Sequence, residues 1–329
     1  MNSLRGPGVT VVGAGIVGAS IARRLAMAGR KVRLIDAREA GKGASAAAAG
    51  MLALGGECDT DSVWLRLGRR SLELYPGWVS ELEEETGLDI DFSIGGSLEQ
   101  ADSDADAGML ALRCERQKLL GIPCEMRGDA AFYPGDGAVD PRSVFRALLA
   151  SCRRLGVEIV EHQRVERIDD NDGPVVIAAG AWSGDIPVFS AGRRLDLPRT
   201  TPVKGHLIAY SLAPGSLPHI LRCGHTYIVQ RANGFTIAGS TSERIGFDET
   251  PDLELCLDIR RRAERLWPEL RGHDPCAAWS GLRPLSETGE PAIGAVEGGR
   301  MWLAYGHYRN GILLAPVTAE IVACGILGL

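Results

Sequence analysis

The chain of 329 residues is long enough for two domains with a large buried core. Hydrophobic residues make up 45% of it, charged residues 24%, and the net charge is −6, which gives no reason to expect nucleic acid or an anionic membrane surface as a partner. No apolar run precedes the first predicted strand, so we expect no signal peptide and a cytoplasmic protein.

A dinucleotide-binding pattern opens the chain. The β-branched run Val9–Val12 predicts a buried strand, and Gly13, Gly15 and Gly18 follow it in the spacing G-x-G-x-x-G. In this spacing the first glycine allows a tight turn, the second lets the backbone approach a pyrophosphate, and the third lets a helix pack closely on the strand. A helical stretch and a second strand then lead to Asp36, where a carboxylate can bind ribose hydroxyls. A chance glycine turn is the alternative, and the motif alone does not separate FAD from NAD.

The next segment, Gly41–Leu54, is rich in alanine and glycine and almost uncharged. Small side chains let a backbone lie close against a flat ligand, and Ser45 can donate a hydrogen bond to a phosphate or a ring edge. A plain alanine helix packed in the core is an equally good interpretation of this composition.

Hydrophobic periodicity places the remaining elements. Helices are predicted over 62–86 with a kink at Pro76, over 106–120, over 140–155 and over 250–266, and strands over 96–100, 157–160, 174–184, 207–211, 226–230, 235–238 and 277–281. The strands around the Asn233-Gly234 turn have the pattern of antiparallel hairpins. The predicted fold class is therefore α/β plus α+β. A discontinuous Rossmann-like domain would comprise 1–58, 134–185 and 282–329, and a mostly antiparallel β-sheet substrate domain would comprise 59–133 and 186–281.

The cysteines and the C-terminal segment both favour ordinary structural roles. Eight cysteines are scattered without a C-x-x-C pair or a Cys/His cluster at metal-ligand spacing, so we predict reduced thiols and no metal site. Gly311–Leu329 is apolar enough to suggest a membrane anchor, but Pro316 and Glu320 interrupt it. We expect a buried terminal helix and no membrane association.

Two arginines and a tyrosine are the candidates for substrate binding. Arg283 lies at the end of a predicted strand, and Arg309 lies in an otherwise apolar segment. A guanidinium in such a position can hold a carboxylate with two hydrogen bonds, although a surface ion pair is the commoner outcome for an arginine. Tyr227 heads a hairpin strand and can add a hydroxyl, or simply pack. No nucleophile–base pair stands out, which fits cofactor chemistry, and a helix expected near Pro316 can stabilise negative charge at its N-terminus.

Six short segments together resemble the glycine oxidase branch of the FAD-dependent D-amino-acid oxidase-like superfamily. They are Gly13–Gly18, Ser45–Met51, Pro202–Gly205, Tyr227–Val229, Gly281–Pro284 and Gly306–Pro316. They span nearly the whole chain. The last segment is the most specific to this branch, whereas the first is shared by many flavoproteins. The segments near 126–133 and 168–175 are shorter than is usual in that family.

The resemblance implies a non-covalent FAD whose flavin ring lies between the two domains. Its contacts would come from Gly13, Gly15, Ile16, Val17, Gly18, Asp36, Ala37, Ala44, Ser45, Ala49, Gly50, Met51, Val165, His307, Tyr308, Arg309, Asn310, Gly311, Ile312 and Leu313. Arg283 would bind the substrate carboxylate with help from Tyr227, and Arg309 would lie beside the substrate.

The resemblance also implies the activity. Glycine or another small amino acid or amine would lose a hydride from its α-carbon to flavin N5, giving an imine and then a 2-oxo acid and ammonia, with O2 reduced to H2O2. The reaction would serve thiamine thiazole biosynthesis, and the enzyme would be a homo-oligomer. Two alternatives stay open: a dehydrogenase of the same superfamily that uses a quinone or protein acceptor, and a flavin-binding protein without amine turnover. The choice among glycine, sarcosine and D-alanine would depend on the pocket near Tyr227, Ser242 and Tyr305.

Overall fold

The first sheet is built around β1 (Val9–Val12), whose four side chains are all buried. In the computed structural model, which describes residues 8–169, 172–296 and 298–329, six strands form this sheet. Their order is β19 (Ala292–Ala295), β20 (Met301–Tyr305), β11 (Val175–Ile177), β1, β2 (Val32–Ile35) and β9 (Glu158–Val160). All neighbouring strands pair in parallel except β19 and β20. The predicted Rossmann-like α/β arrangement is confirmed.

Helices cover this sheet and share the largest apolar core with it. The described helices are α1 (Ile16–Met27), α2 (Ala44–Ala47), α3 (Val63–Thr86), α4 (Asp104–Leu119), α5 (Pro141–Arg154), α6 (Leu253–Leu266) and α7 (Gly311–Leu327). Helix α1 packs against α5 and α7, and α3 packs against the same two helices. Their apolar faces meet in one continuous cluster, so the two ends of the chain are held together by this core.

The second sheet contains eight of the described strands and is mostly antiparallel. Their order is β18 (Ala277–Ser286), β14 (Thr200–Ser211), β17 (Phe235–Gly239), β16 (Thr226–Gln230), β15 (Ile220–Cys223), β5 (Ser97–Gln100), β7 (Ala130–Tyr133) and β6 (Glu125–Arg127). Only the pair β15 and β5 is parallel among these described strands. Helix α6 packs on this sheet over a separate apolar cluster. The predicted antiparallel β section is confirmed.

Two small sheets complete the described structure. One contains β3 (Met51–Leu52), β8 (Gly137–Val139) and β4 (Phe92–Ser93), and the other contains β10 (Ile168–Asp169), β12 (Val188–Ser190) and β13 (Arg193–Arg194). The domain boundary expected between 281 and 282 falls inside the continuous strand β18. The division of the chain into domains stays a prediction.

The helices begin at their capping residues, which differ by a few residues from the starts predicted from periodicity. The Ser62 hydroxyl accepts a hydrogen bond from the Leu65 N–H at the start of α3. Helix α4 begins two residues earlier than expected because Ser103 caps it. Helix α6 begins three residues later than expected because Asp252, and not the preceding Thr-Pro pair, accepts the free N–H groups of its first turn. Helix α7 begins at Gly311 and not near Pro316.

Helix α3 compensates for the proline inside α7. Pro316 has no N–H to donate to the carbonyl four residues earlier, which belongs to Ile312. The Tyr75 hydroxyl of α3 donates to this carbonyl oxygen at 2.7 Å. One turn away on α3, the Ser71 hydroxyl donates to the Leu313 carbonyl at 2.5 Å. Helix α3 therefore fixes the first turns of α7, which border the cavity described below.

The prediction of reduced thiols is wrong for one pair of cysteines. Cys114 in α4 and Cys124 just before β6 form a disulfide, with their Cα atoms 6.0 Å apart. The turn after α4 brings the two residues within disulfide distance, a proximity that their sequence spacing did not indicate. The other six cysteines of the described chain are free thiols. No group of three His, Cys, Asp or Glu side chains suited to a metal ion occurs in the described residues.

The C-terminal helix lies in the core. The stretch Tyr308–Leu327 has a mean hydropathy of 1.7 and is long and apolar enough to cross a membrane by length and composition. In the structure α7 is buried from Ile312 to Ala319 and packs against α1 and α3. This packing favours the predicted buried terminal helix.

Candidate active site

A cavity of about 830 Å³ lies between the two large sheets. On the side of the first sheet it is lined by the β1–α1 turn and by residues 35–38, 163–166 and 178–187. On the other side it is lined by residues of β14, β16 and β18. Residues of the segments 43–51 and 304–312 complete the lining of the cavity.

The three glycines of the opening motif occupy the positions that the motif predicts. Gly13 has a φ of +105°, and a Cβ atom there would lie 2.3 Å from the Ala178 carbonyl oxygen. A Cβ atom on Gly18 would lie 1.9 Å from the Gly13 oxygen, so this residue permits the close packing of α1 on the turn. Gly15 differs, because a Cβ atom there would meet only the Ser45 hydroxyl, at 3.2 Å, and Gly15 lines the cavity. The backbone is therefore exposed to a ligand at Gly15.

Ser45 and Asp36 both hold the turn at the start of α1. The Ile16 N–H donates to the Ser45 Oγ atom at 3.0 Å, which ties the alanine-rich segment to the helix N-terminus. Asp36 accepts from the Ala14 N–H at 2.7 Å and from the Arg38 N–H at 2.9 Å, one bond on each carboxylate oxygen. Each carboxylate oxygen retains a lone pair for a hydroxyl of a bound ligand.

Most of the residues predicted to contact the cofactor are brought together around this cavity. They are Gly13, Gly15, Ile16, Val17, Asp36, Ala37, Ala44, Ser45, Ala49, Gly50, Met51, Val165, His307, Tyr308, Arg309, Asn310, Gly311 and Ile312. Gly18 and Leu313 lie outside the lining. Gly18 packs against the turn, and Leu313 is buried with its carbonyl on Ser71. The contacts themselves stay predictions.

The segment before α7 bends sharply along the cavity. Tyr308 has a φ of +50°, an uncommon conformation for a residue with a side chain. Burial lowers the pKa of His307 to about 4, so its ring is neutral near pH 7, and its Nε2 atom lies 3.0 Å from the Thr318 hydroxyl. Gly311 and Ile312 line the cavity, and the first turn of α7 carries neither an acidic residue nor a side-chain cap in the described chain. Its N–H groups can therefore stabilise negative charge in the cavity.

Arg283 is held rigidly on the side of the cavity that the second sheet forms. Its Nη1 atom donates to the Thr241 carbonyl at 3.0 Å, and its Nη2 atom donates to the Ser240 hydroxyl at 2.8 Å. The guanidinium lies over Gly205 of the neighbouring strand, where a Cβ atom would come within 2.3 Å of both Nη atoms. Of the five N–H groups of an arginine, three remain beyond these two bonds; one of them interacts with the Tyr227 hydroxyl, so two are left for a ligand.

Tyr227 interacts with both predicted arginines. It is buried in β16 and pairs with Gly239, where a Cβ atom would lie 2.7 Å from the tyrosine hydroxyl oxygen. Burial raises the pKa of Tyr227, although the positive charges of Arg283 and Arg309 act in the opposite direction. The phenol is therefore protonated near neutral pH and close to both guanidinium groups.

Arg309 is paired with an acid that the sequence did not single out. Its Nη2 atom lies 3.1 Å from Oε1 of Glu57, and the same oxygen lies 3.3 Å from Nη2 of Arg222. Arg222 is buried and also donates to the Gly55 carbonyl. Glu57 thus lies between an arginine of the cavity and an arginine behind it.

The buried Asp136 contacts both Arg222 and the loop that precedes Glu57. The carboxylate of Asp136 accepts from the Leu54 and Gly55 N–H groups at 3.0 and 3.1 Å and from the Ser97 hydroxyl at 2.6 Å. It also lies 3.9 Å from Nη1 of Arg222. Burial raises the pKa of Asp136 to about 6, against the opposing effects of Arg222 and these hydrogen bonds. The loop that carries Glu57 is therefore anchored to the second sheet.

Several residues of the lining were missed by the sequence analysis. Glu57 and Ser240 line the cavity, whereas Ser242, which we expected to border the pocket, does not. Arg38 also lines the cavity, and its guanidinium lies 4.5 Å from the centre of the Trp182 ring and 2.7 Å from a carboxylate oxygen of Glu249. Glu57 lies in a segment without periodicity, and nothing in its neighbourhood in the sequence indicated an arginine 252 residues away.

The lining fits an extended dinucleotide with a flat ring system. A bare glycine backbone and the N-terminus of α1 suit a pyrophosphate, and Asp36 suits a ribose. The small residues Ala47–Gly50 leave room for a ring next to the start of α7. Arg283 and Tyr227 then lie beyond that ring, where a small carboxylate can bind.

Comparisons with known proteins agree with this geometry. The family model described as FAD dependent oxidoreductase (DAO) matches residues 8–324. The glycine oxidase of Bacillus licheniformis is 34% identical over 345 residues, which cover 97% of this chain and 92% of that protein. The bifunctional protein ThiO/ThiG of Trichormus variabilis is 32% identical over 349 residues, covering 96% of this chain and 52% of that protein. The crystal structure of glycine oxidase from Geobacillus kaustophilus matches with a TM-score of 0.90 and 30% identity, covering 98% of this chain and 94% of the other.

Proposed function

The chain belongs to the DAO family of FAD-dependent oxidoreductases, and from this premise we propose that it oxidises glycine or a similarly small amino acid, with O2 as the electron acceptor. The resemblance found in the sequence is confirmed, and the chain is an FAD-dependent amino-acid oxidase. The relatives do not favour the two alternatives, a dehydrogenase with another acceptor and a protein without turnover.

The observation that carries the proposed substrate is the position of Arg283. Two of its N–H groups are used by Thr241 and Ser240 and one interacts with the Tyr227 hydroxyl, which leaves two for a ligand in the cavity. A planar guanidinium that is already immobilised loses little entropy when it binds a carboxylate with two hydrogen bonds. The buried hydroxyl of Tyr227 supplies a further donor close by.

The residues of the first sheet would hold FAD. The turn at Gly13–Gly15 and the N-terminus of α1 would bind its pyrophosphate, Asp36 its ribose, and the segment Ala47–Met51 would lie against its ring system. When bound, FAD supplies the two-electron chemistry, as the acceptor of the hydride from the substrate and the donor of electrons to O2.

The protein side chains would bind and orient the substrate. Arg283 would fix the carboxylate, and with it the direction in which the adjacent α-carbon points. Tyr227 would stay protonated and donate, because burial raises its pKa. The first turn of α7 would stabilise negative charge that develops on the flavin ring.

The wider context of the reaction is also part of the proposal. A role in thiamine thiazole biosynthesis is supported by the similarity to the ThiO/ThiG protein. The cytoplasmic location, the homo-oligomeric state and the absence of nucleic-acid and membrane partners stay predictions from the sequence.

The experiment is an anaerobic reduction followed by reoxidation. The purified protein should be yellow, its flavin absorbance near about 450 nm should bleach when glycine is added without oxygen, and air should restore it with release of H2O2. Arg283→Ala should keep the flavin and lose most of kcat/KM, since a lost charged hydrogen bond is worth about 1.5–3 kcal/mol. A yellow protein that glycine does not bleach would refute glycine as the substrate, and a colourless one that FAD cannot reconstitute would refute the cofactor site.

A further inference from the structure

Glu57 stands apart from the other acids of the cavity. The described lining contains four acidic residues, of which Asp36, Glu166 and Asp185 belong to segments that follow strands of the first sheet. Glu57 instead lies beside Arg309, at 3.1 Å. In the described part of the chain it is the only acid within ion-pair distance of that arginine.

The charges at the substrate end of the cavity can be counted from these pairs. Arg283 and Arg309 both lie near Tyr227 and bring two positive charges. The buried Arg231 also interacts with Tyr227, but its charge is balanced by Asp140 and Asp91. Glu57 brings one negative charge, and Arg222 behind it is compensated by Asp136 at 3.9 Å. One positive charge therefore remains, which a single carboxylate neutralises. A second anionic group would find Arg309 already paired and would be repelled by Glu57.

The position of Glu57 is fixed, so the pair cannot easily open to admit another anion. Its carboxylate is held by Arg222 as well as by Arg309. Arg222 donates to the Gly55 carbonyl in the same loop, and Asp136 accepts two N–H groups of that loop. Removing these contacts would leave buried charged groups unpaired, which is strongly unfavourable.

We propose that Glu57 determines the charge class of the substrate: by neutralising Arg309 it makes the site select amino acids with one carboxylate and discriminate against those with a second anionic group. This inference rests on the proposed amino-acid oxidase function and adds a specificity-determining residue to it. Glu57 itself takes no part in the redox step.

The test compares a monocarboxylate with a dicarboxylate by direct binding. Acetate and malonate are titrated into the FAD-loaded protein, and dissociation constants are read from the change in the flavin spectrum. Glu57→Gln keeps a hydrogen-bond acceptor for Arg309 but removes the charge, so the ratio of the malonate to the acetate dissociation constant should fall by about tenfold or more. Arg309→Gln should raise this ratio, and the double variant E57Q/R309Q, which restores the charge count, should return it towards the wild-type value.

The matched control is Glu320→Gln. Glu320 forms an ion pair of the same type with Arg70, at 3.0 Å, and neither residue lines the cavity. This variant should leave the acetate–malonate ratio unchanged. An unchanged ratio in Glu57→Gln with its flavin bound would overturn the inference. Should Glu57→Gln not bind FAD, the shift in Arg309→Gln decides, because a ratio that does not rise there contradicts the charge count equally.

Turnover separates this inference from the proposed function. With glycine and D-aspartate as substrates, kcat/KM should move towards D-aspartate in Glu57→Gln and not in Glu320→Gln. A wild-type protein that fails to oxidise glycine, but whose binding ratio shifts as expected, would refute the proposed substrate and leave the role of Glu57 standing. A protein that oxidises glycine with an unchanged ratio in every variant would refute Glu57 alone.

Discussion

Gly205 offers a way to move Arg283 without removing it. Gly205 lies in β14 beside β18, and a Cβ atom there would come within 2.3 Å of both Nη atoms and 2.4 Å of the Cζ atom of Arg283. In Gly205→Ala the clash is with the end of a flexible side chain, so the guanidinium shifts and the strands stay paired. The variant therefore separates the position of the arginine from its charge.

The size of the shift follows from the contact. Ordinary van der Waals contact begins at 3.4 Å, so a separation of 2.3 Å must increase by about 1.1 Å before the guanidinium and the new methyl group are in ordinary contact. Such a shift also disturbs the hydrogen bonds to Thr241 and Ser240. A misplacement of about 1 Å in a binding group typically lowers the rate by about 100-fold, which corresponds to about 2.7 kcal/mol of transition-state stabilisation.

The assay is peroxide formation at varied glycine concentration, with FAD content and thermal stability measured in parallel. Gly205→Ala should lower kcat/KM by about 100-fold with the flavin still bound and with the melting temperature close to wild type. Gly77→Ala is the matched control, since Gly77 is exposed on α3 with no atom within 4 Å of the added methyl group. It should keep its activity and gain about 0.5–1 kcal/mol of stability. A Gly205→Ala protein with wild-type kcat/KM would refute the role of the Arg283 position.

Four further predictions concern stability and cofactor binding. Burial raises the pKa of Asp136 from 3.8 to about 6, so the folded state loses stability as pH rises through that window. Wild type should lose about 2 kcal/mol relative to Asp136→Asn between pH 4 and 7 in urea unfolding. Burial lowers the pKa of His307 from 6.5 to about 4, so its effect has the opposite sign: wild type should lose about 3 kcal/mol relative to His307→Gln as pH falls from about 7 to 4. Variants whose pH profiles parallel the wild type would contradict these two assignments. Gly15→Ala places a methyl group in the cavity 3.2 Å from the Ser45 hydroxyl and should weaken FAD binding by about tenfold or more in a flavin fluorescence titration, with little change in apoprotein stability. Tyr75→Phe leaves the buried Ile312 carbonyl without its donor and should lower the free energy of unfolding by about 1–3 kcal/mol; an unchanged value would show that the proline in α7 needs no compensation.

The cofactor side of the site was largely predictable because its signals are local. The turn around Gly13 and Gly15 depends on neighbouring residues and on the backbone freedom of glycine, and both can be recognised in a short window. Asp36 was predicted from its place at the end of the second strand, and the structure adds that it also holds the turn through the Ala14 and Arg38 N–H groups. Those bonds depend on how the loop after β2 folds back.

The substrate side was predicted only in part. Arg283 was recognisable from its place at the end of a predicted strand, but its partner Ser240 directly follows β17 and the underlying Gly205 lies in β14. Glu57 was missed because its partner lies 252 residues away. Ser240 lines the cavity in place of the expected Ser242, because the sequence alone does not show which of these two serines faces the cavity.

Side-chain periodicity, glycine conformations and short motifs were sufficient to predict the main helices, the nucleotide-binding turn and the family. Three features could be seen only in the folded chain: Tyr75 supplies the hydrogen bond that Pro316 cannot make, Cys114 is bonded to Cys124, and Glu57 forms an ion pair with Arg309. Hydrogen bonds, disulfides and ion pairs act over a few ångströms in space, and in a fold with crossing strands that distance bears little relation to separation along the chain.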